Sequence, residues 1–260
     1  MRSSTSSKTA IHWTHYARSW RNLIKTINSL FMKAEREWPV KLMFRAVVFD
    51  VDGVLTRINS IWRFIHEELG VFDRARENAR RYYAGKITYE EWAKLDVELW
   101  KGLRYEKLIS IVNKVPLRGG AKEVVKRLKN QGLITVAISA GLSLIANRVA
   151  KELGMDYVFS NDIVVKDGVV TGEVVIHVKA DNKDKVMENF CKLKGLRPIE
   201  CIVVGDSLVD VPMFKISGLS IAFNPTREEV AESADVIVFS EDLRAVLPVI
   251  FKALGKTLSE

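Results

Sequence analysis

An open α/β fold is what this sequence predicts: a doubly wound parallel sheet with a small helical cap inserted after the first strand. Three observations predict it. From residue 116 onward, short β-branched and aromatic runs alternate with helical segments. Residues 57–115 read as helix throughout, although strands flank the block on both sides. Acids also stand where two apolar runs stop: Asp50 and Asp52 after Val47-Val48-Phe49, and Asp206 after Val203-Val204-Gly205. In an open α/β sheet of Rossmann-like type, the carboxyl ends of the strands are where ligands bind.

The chain divides into an N-terminal extension over 1–42, a core formed by 43–56 with 116–260, and a helical cap over 57–115. Residues 1–14 are Ser- and Thr-rich. From Tyr16 to about Trp38, Trp20, Leu23, Ile24, Ile27, Leu30 and Phe31 recur at helical spacing with Arg18, Arg21, Lys25 and Lys33 between them. That pattern is a basic amphipathic helix, suited to peripheral membrane attachment, targeting, partner docking or packing on the core. Met43 directly precedes the first core strand, so a start of translation there stays open as well.

The cap reads as Ser60–Leu69, Arg74–Tyr83, Thr88–Leu103 and Tyr105–Val115, with Thr88 and Glu91 spaced as a capping box. Its Trp62, Trp92 and Trp100 are expected to fill the cap's own core. Alternation then resumes. The expected elements are a helix over Ala121–Asn130, a strand over Leu133–Ile138 ending at Ser139, and a helix over Ser143–Leu153. A strand over Tyr157–Ser160 follows, then a hairpin over Ile163–Val178 turning at Asp167-Gly168. A helix over Asp184–Leu193 leads into strands over Glu200–Val204, Leu219–Phe223 and Val236–Phe239, and Leu243–Leu254 closes the chain as helix.

Composition bounds the function. A chain of 260 residues, 48% hydrophobic and 28% charged, is ordinary globular protein with room for a sizeable core. No apolar run is long enough to cross a bilayer. Cys191 and Cys201 have neither CxxC spacing nor a His cluster, which points to a reduced, cytoplasmic chain rather than a disulfide scaffold or zinc site. Of the net charge of +8, residues 1–42 carry +6, so the main body is no nucleic-acid platform.

Chemistry gathers at predicted strand ends. Two carboxylates as close as Asp50 and Asp52 repel unless a cation or proton lies between them, and Gly53 supplies the turn that lets both face one mouth. Ser139, followed by Ala140-Gly141 and a helix start, offers a hydroxyl and main-chain N–H groups to an anion. Lys183 opens the next helix and can meet a phosphate, with Lys185 as its competitor. Asp206 and Asp210 add hard oxygen donors of the kind Mg²⁺ takes. His66 and His177 stand alone in the pattern and are expected to be structural or solvated.

With those motifs in order, residues 44–240 resemble the haloacid dehalogenase superfamily of phosphotransferases, nearest its phosphoserine-phosphatase-like branch. The segments Phe159–Glu173 and Ile221-Ala-Phe223 share the resemblance. It implies a Mg²⁺-dependent phosphatase acting on a small phosphorylated metabolite through an aspartyl phosphate. Asp50 would be the nucleophile and Asp52 the acid and base, with Ser139 and Lys183 gripping the phosphoryl group. Gly53, Ala140 and Gly141 would lie beside that group. Asp50, Asp52 (through its carbonyl), Asp206 and Asp210 would make the metal site.

Two positions depart from the branch's pattern. Asn59 falls where the branch has a Glu that reads the ammonium of phosphoserine, and Asp96 falls near its carboxylate-reading Arg. Phosphoserine is therefore disfavoured as substrate, although Arg57, Arg63 or Lys94 could compensate. A phosphomutase or nucleotidase with the same chemistry, and a silent scaffold on the same fold, are the alternatives.

Overall fold

The structure, a computed structural model, describes residues 43–257; the basic helix expected over Tyr16–Trp38 lies outside the described residues. Seven strands form one sheet: β1 (Ala46–Phe49), β2 (Ile134–Leu142), β3 (Tyr157–Lys166), β4 (Val169–Val175), β5 (Cys201–Gly205), β6 (Leu219–Phe223) and β7 (Val236–Val238). Their order is β4-β3-β2-β1-β5-β6-β7, parallel except for the β3–β4 hairpin. The chain winds outward from β1 through β2, β3 and β4, then returns to lay β5 on the other side of β1. That reversal makes β1/β5 the switch point of the sheet, the place where such folds open a crevice at the strand ends.

Why β1 sits in the centre is legible in its residues. Val47 and Phe49 face one apolar cluster while Ala46 and Val48 face another, so both sides of the strand are buried. Strands buried on both faces read as continuous apolar runs, and β5 (CIVVG) and β6 (LSIAF) follow suit. Register then fixes the neighbours of the acids: Phe49 stands opposite Val204 of β5 and Ala137 of β2.

The core helices are α5 (Ala121–Asn130), α6 (Ser143–Leu153), α7 (Lys183–Lys194), α8 (Val211–Ile216), α9 (Glu228–Glu232) and α10 (Leu247–Ala253). Between β1 and α5 come the four helices expected of the cap: α1 (Ile61–Glu68), α2 (Phe72–Tyr83), α3 (Tyr89–Glu98) and α4 (Tyr105–Val112). Ser60 caps α1 by accepting from Arg63 N–H, and Thr88 with Glu91 forms the reciprocal capping box that opens α3. Trp100 is fully buried, stacks on Trp62 with centroids 5.6 Å apart, and donates its indole N–H to His66 Nδ1 at 3.2 Å.

Several boundaries differ from expectation, among them the end of β2 and the C-terminal helix. β2 does not end at Ile138 but runs through Ala140-Gly141 to Leu142, with a register shift before Leu142 pairs with Asn161 of β3. The small residues that signalled a break are accommodated because β3 supplies partners that local propensity cannot foresee. The C-terminal helix divides into a tight turn over Leu243–Val246 and α10, with Pro248 in the first turn of α10.

Truncating Trp100 to Ala should cost about 3–5 kcal/mol, since it opens a large cavity and strips His66 of a donor. Chemical denaturation of the parent and Trp100→Ala checks this; a loss near zero would remove Trp100 from the cap's core.

Candidate active site

Three elements converge at the β1/β5 switch point. Asp50 follows β1 directly, and its N–H donates to Val204 O at 3.0 Å, which pins the acid against β5. Beyond it the chain makes a wide turn, Val51–Leu55, closed by Thr56 N–H donating to Val51 O at 2.9 Å. Gly53 turns within it at φ 82°, where a Cβ would lie 2.2 Å from Asp206 Oδ2. Only glycine lets the two acidic loops approach this closely.

Lys183 opens α7 and is fully buried, donating from Nζ to Asp50 Oδ1 at 2.9 Å and to Asp210 Oδ1 at 2.7 Å. Burial works against its charge, but the Asp210 and Asp50 carboxylates prevail and hold the ammonium above the ordinary lysine range. Lys185, its competitor in the sequence, is exposed.

Asp210 is committed to this scaffold. While Oδ1 takes Lys183, Oδ2 accepts from Asp206 N–H at 3.0 Å and from Ser207 N–H at 3.1 Å. Its Cβ lies where a side chain on Gly205 would have to go, 2.5 Å away. Asp206 is carried on that loop, and its carbonyl accepts from both Thr226 N–H and Oγ1.

Asp52 turns the other way. Its Oδ2 accepts from Ile61 N–H at 2.7 Å, at the start of α1, while its Oδ1 is buried with no hydrogen-bond partner among the described residues. Burial raises its carboxyl to about 6. For Asp50, burial and the Asp210 charge outweigh Lys183 and raise the carboxyl to about 7; for Asp206, burial and the Asp50 charge raise it to about 9. Four acids against one buried ammonium leave the site with excess negative charge.

Oxygens of Asp50, Asp206 and Asp210 lie within 4.8 Å of one another. An all-carboxylate donor set with that charge fits a hard divalent cation and does not suit a thiophilic metal.

Ser139 is buried on the other flank of β1, in β2. It does not sit at a helix start as expected, because β2 continues past it. Gly141 N–H, expected to face an anion, donates to Ser139 Oγ at 2.9 Å. Ala140 contributes its carbonyl instead, which accepts from Trp62 Nε1 (3.1 Å), Tyr89 Oη (3.1 Å) and Asn161 Nδ2 (3.0 Å). Two of these donors come from cap helices α1 and α3, so the cap is fastened to the loop beside Ser139.

A cavity of about 720 Å³ opens from Asp50, Asp52, Ser139 and Lys183 into the cap, and Asn59, Gly141 and Asp96 line it. Asp96 is buried with both oxygens engaged: Asn78 Nδ2 donates to Oδ1 at 2.8 Å and His66 Nε2 meets Oδ2 at 3.2 Å. His66 does not stand alone, since Trp100 binds its other nitrogen; accepting there leaves the proton on Nε2, facing Asp96. The ring of His177 is half-exposed and meets Asp162, as expected of a solvated residue. Trp100 is fully buried, as expected of cap core; Trp62, which packs against that core, and Trp92 are half-buried and also line this cavity.

Sequence reasoning passed over Arg118, which donates to Gly53 O at 2.7 Å, and Asn161, which is fully buried and accepts from His177 and Val178 N–H. Both hold main-chain groups, a role that leaves no spacing signature.

Comparison with known proteins agrees with this geometry. A family model for the haloacid dehalogenase-like hydrolases matches residues 44–218. Phosphoserine phosphatase of Methanocaldococcus jannaschii is 33% identical over 204 residues, covering 78% of this chain and 96% of that protein. Phosphoserine phosphatase of Archaeoglobus fulgidus is 34% identical over 200 residues, 76% of this chain and 58% of that protein. A solved structure described as a phospho-aspartyl intermediate analogue of phosphoserine phosphatase superposes with a TM-score of 0.69 at 32% identity, covering 79% of this chain and 98% of that one. The chain belongs to the haloacid dehalogenase-like hydrolase family.

The raised carboxyls set a pH signature. A folded pKa above the unfolded value of 3.8 contributes stability that is complete below that value and lost as pH climbs through about 7 for Asp50 and about 9 for Asp206. Chelator-treated protein should therefore melt lower as pH rises from about 5 to about 9, and an added hard divalent cation should raise the melting temperature more at the alkaline end, where it displaces fewer protons. Equal cation-induced shifts across that range would contradict a cation site at these acids.

Proposed function

We propose that the chain hydrolyses a small phosphomonoester with Mg²⁺ bound, using Asp50 as a covalent carrier of the phosphoryl group. The observation that carries this reading is the fully buried Lys183 ammonium, shared between Asp50 and Asp210. A carboxylate attacks an anionic phosphate poorly unless positive charge cancels the repulsion, and Lys183 brings such charge to the attacking group.

Both Val51 N–H and Lys183 bind Asp50 through Oδ1. Oδ2 is therefore the oxygen assigned to attack phosphorus, forming the Asp50–phosphoryl bond as the bond to the leaving oxygen breaks. Asp52, raised by burial to about 6, keeps a protonated fraction as pH nears neutrality, and from its unpartnered Oδ1 that fraction passes the proton to the leaving oxygen. The same oxygen then takes a proton from the water that cleaves the aspartyl phosphate. Ser139 Oγ and Lys183 Nζ orient the phosphoryl oxygens. Asp50, Asp206 and the carbonyl of Asp52 would hold the cation, with Asp210 fixing the loop beneath it. When bound, Mg²⁺ supplies Lewis-acid neutralisation of the transferring group.

The substrate is a small phosphorylated metabolite. Relatives named for phosphoserine favour that ester as one reading; Asn59 at the rim and the satisfied Asp96 provide no obvious grip on its ammonium and carboxylate. The unbridged, buried Cys191 and Cys201 suit a reducing, cytoplasmic setting.

Assayed on a generic aryl phosphate with Mg²⁺, Asp50→Asn should lose about a thousandfold or more in kcat, since it removes the nucleophile. Acid-quenched parent protein should carry a phosphoryl adduct on Asp50 by mass spectrometry, and chelation should silence the parent reversibly. Equal rates in parent and variant would defeat the proposal and leave a silent scaffold.

A further inference from the structure

We infer that the cap cavity selects phosphomonoesters whose leaving group carries a flat aromatic ring; this rests on the phosphatase reading above. The cavity's walls are the first reason. Trp62, Phe72, Tyr82, Tyr89 and Trp92 all line it. Tyr82 and Trp92 stack with centroids 4.6 Å apart at 21°, and Tyr89 meets Trp92 edge-on at 5.9 Å and 84°. Trp62 and Tyr89 are held by their bonds to Ala140 O, and Trp62 by its stack on Trp100 as well. Aromatic walls with fixed faces and edges favour a ring placed in stacked or edge-to-face contact.

Charge is the second reason. An amino-acid leaving group needs a buried anion for its ammonium and a cation for its carboxylate. Apart from Asp50 and Asp52, the acid lining the cavity is Asp96, and both of its oxygens are taken. The lining arginines are exposed: Arg63 pairs with Glu67 and lies over the Phe72 ring, Arg76 pairs with Asp73, and Arg227 precedes α9. Buried Trp92 Nε1 has no acceptor among the described residues, so the aromatic wall also holds a donor for a substituent on the ring.

Size is the third. The cavity, at about 720 Å³, falls within the ~300–1,000 Å³ of sites for drug-sized ligands and exceeds what a serine side chain needs.

The test measures phosphate released by the full chain with Mg²⁺ from 2-phenylethyl phosphate, ethyl phosphate and phosphoserine. The first two leave as alcohols of similar acidity, so their ratio reports binding of the ring. The expected kcat/KM for the phenylethyl ester exceeds both others by about thirtyfold or more, the worth of burying a phenyl group. Trp92→Leu and, separately, Tyr82→Leu, each confirmed folded by its melting curve, should cut the phenylethyl-to-ethyl ratio about tenfold. Ethyl phosphate or phosphoserine turned over as well as the phenylethyl ester would overturn the inference and leave the phosphatase intact. An unchanged ratio in both variants would overturn it as well. No phosphate from any of the three would overturn the phosphatase reading and the inference with it.

Discussion

The ammonium of Lys183, sealed from solvent between Asp50 and Asp210, is the constraint around which the rest of this site is arranged. A buried charge is tolerated only with good geometry and fully used donors, and losing one partner of such a group typically costs about 3–5 kcal/mol. The three residues come from β1, the start of α7 and the loop after β5, so this one contact ties together elements far apart in sequence. The glycines follow from it. A side chain on Gly205 would strike Asp210, a partner of the lysine, and one on Gly53 would strike Asp206 on the same loop, so both glycines let the acidic loops close in beside it.

Much of this was legible before any coordinates. Asp50, Asp52 and Asp206 follow short β-branched runs that read as strands, and of the competing Lys183 and Lys185 the structure buries the first and exposes the second. The α3 capping box and the Asp167-Gly168 turn were equally plain, because their signals are local. Strand order was not legible, since pairing across the sheet leaves no mark on spacing.

The errors share a cause. Ser139-Ala-Gly141 looked like a strand end because glycine and alanine are poor strand formers, yet pairing between Leu142 and Asn161 carries the strand onward. Trp62 and Trp92 sit on their helices at positions that periodicity assigns to a core, and that each also borders a cavity depends on its neighbours, which periodicity does not encode. His66 and Asp96 are 30 residues apart and meet because α1 and α3 both pack on α2.

The carbonyl of Ala140 gathers donors from α1, α3 and β3 at a single oxygen. Because the hub is main chain, no side-chain replacement at position 140 deletes it, and alanine scanning passes over it entirely. Its contribution would surface only through its donors, or through an amide-to-ester change that weakens the acceptor itself. The join between lid and reaction centre thus runs through an atom that side-chain replacement leaves in place, so the effect of a substitution at this position would report on its packing and not on the hub.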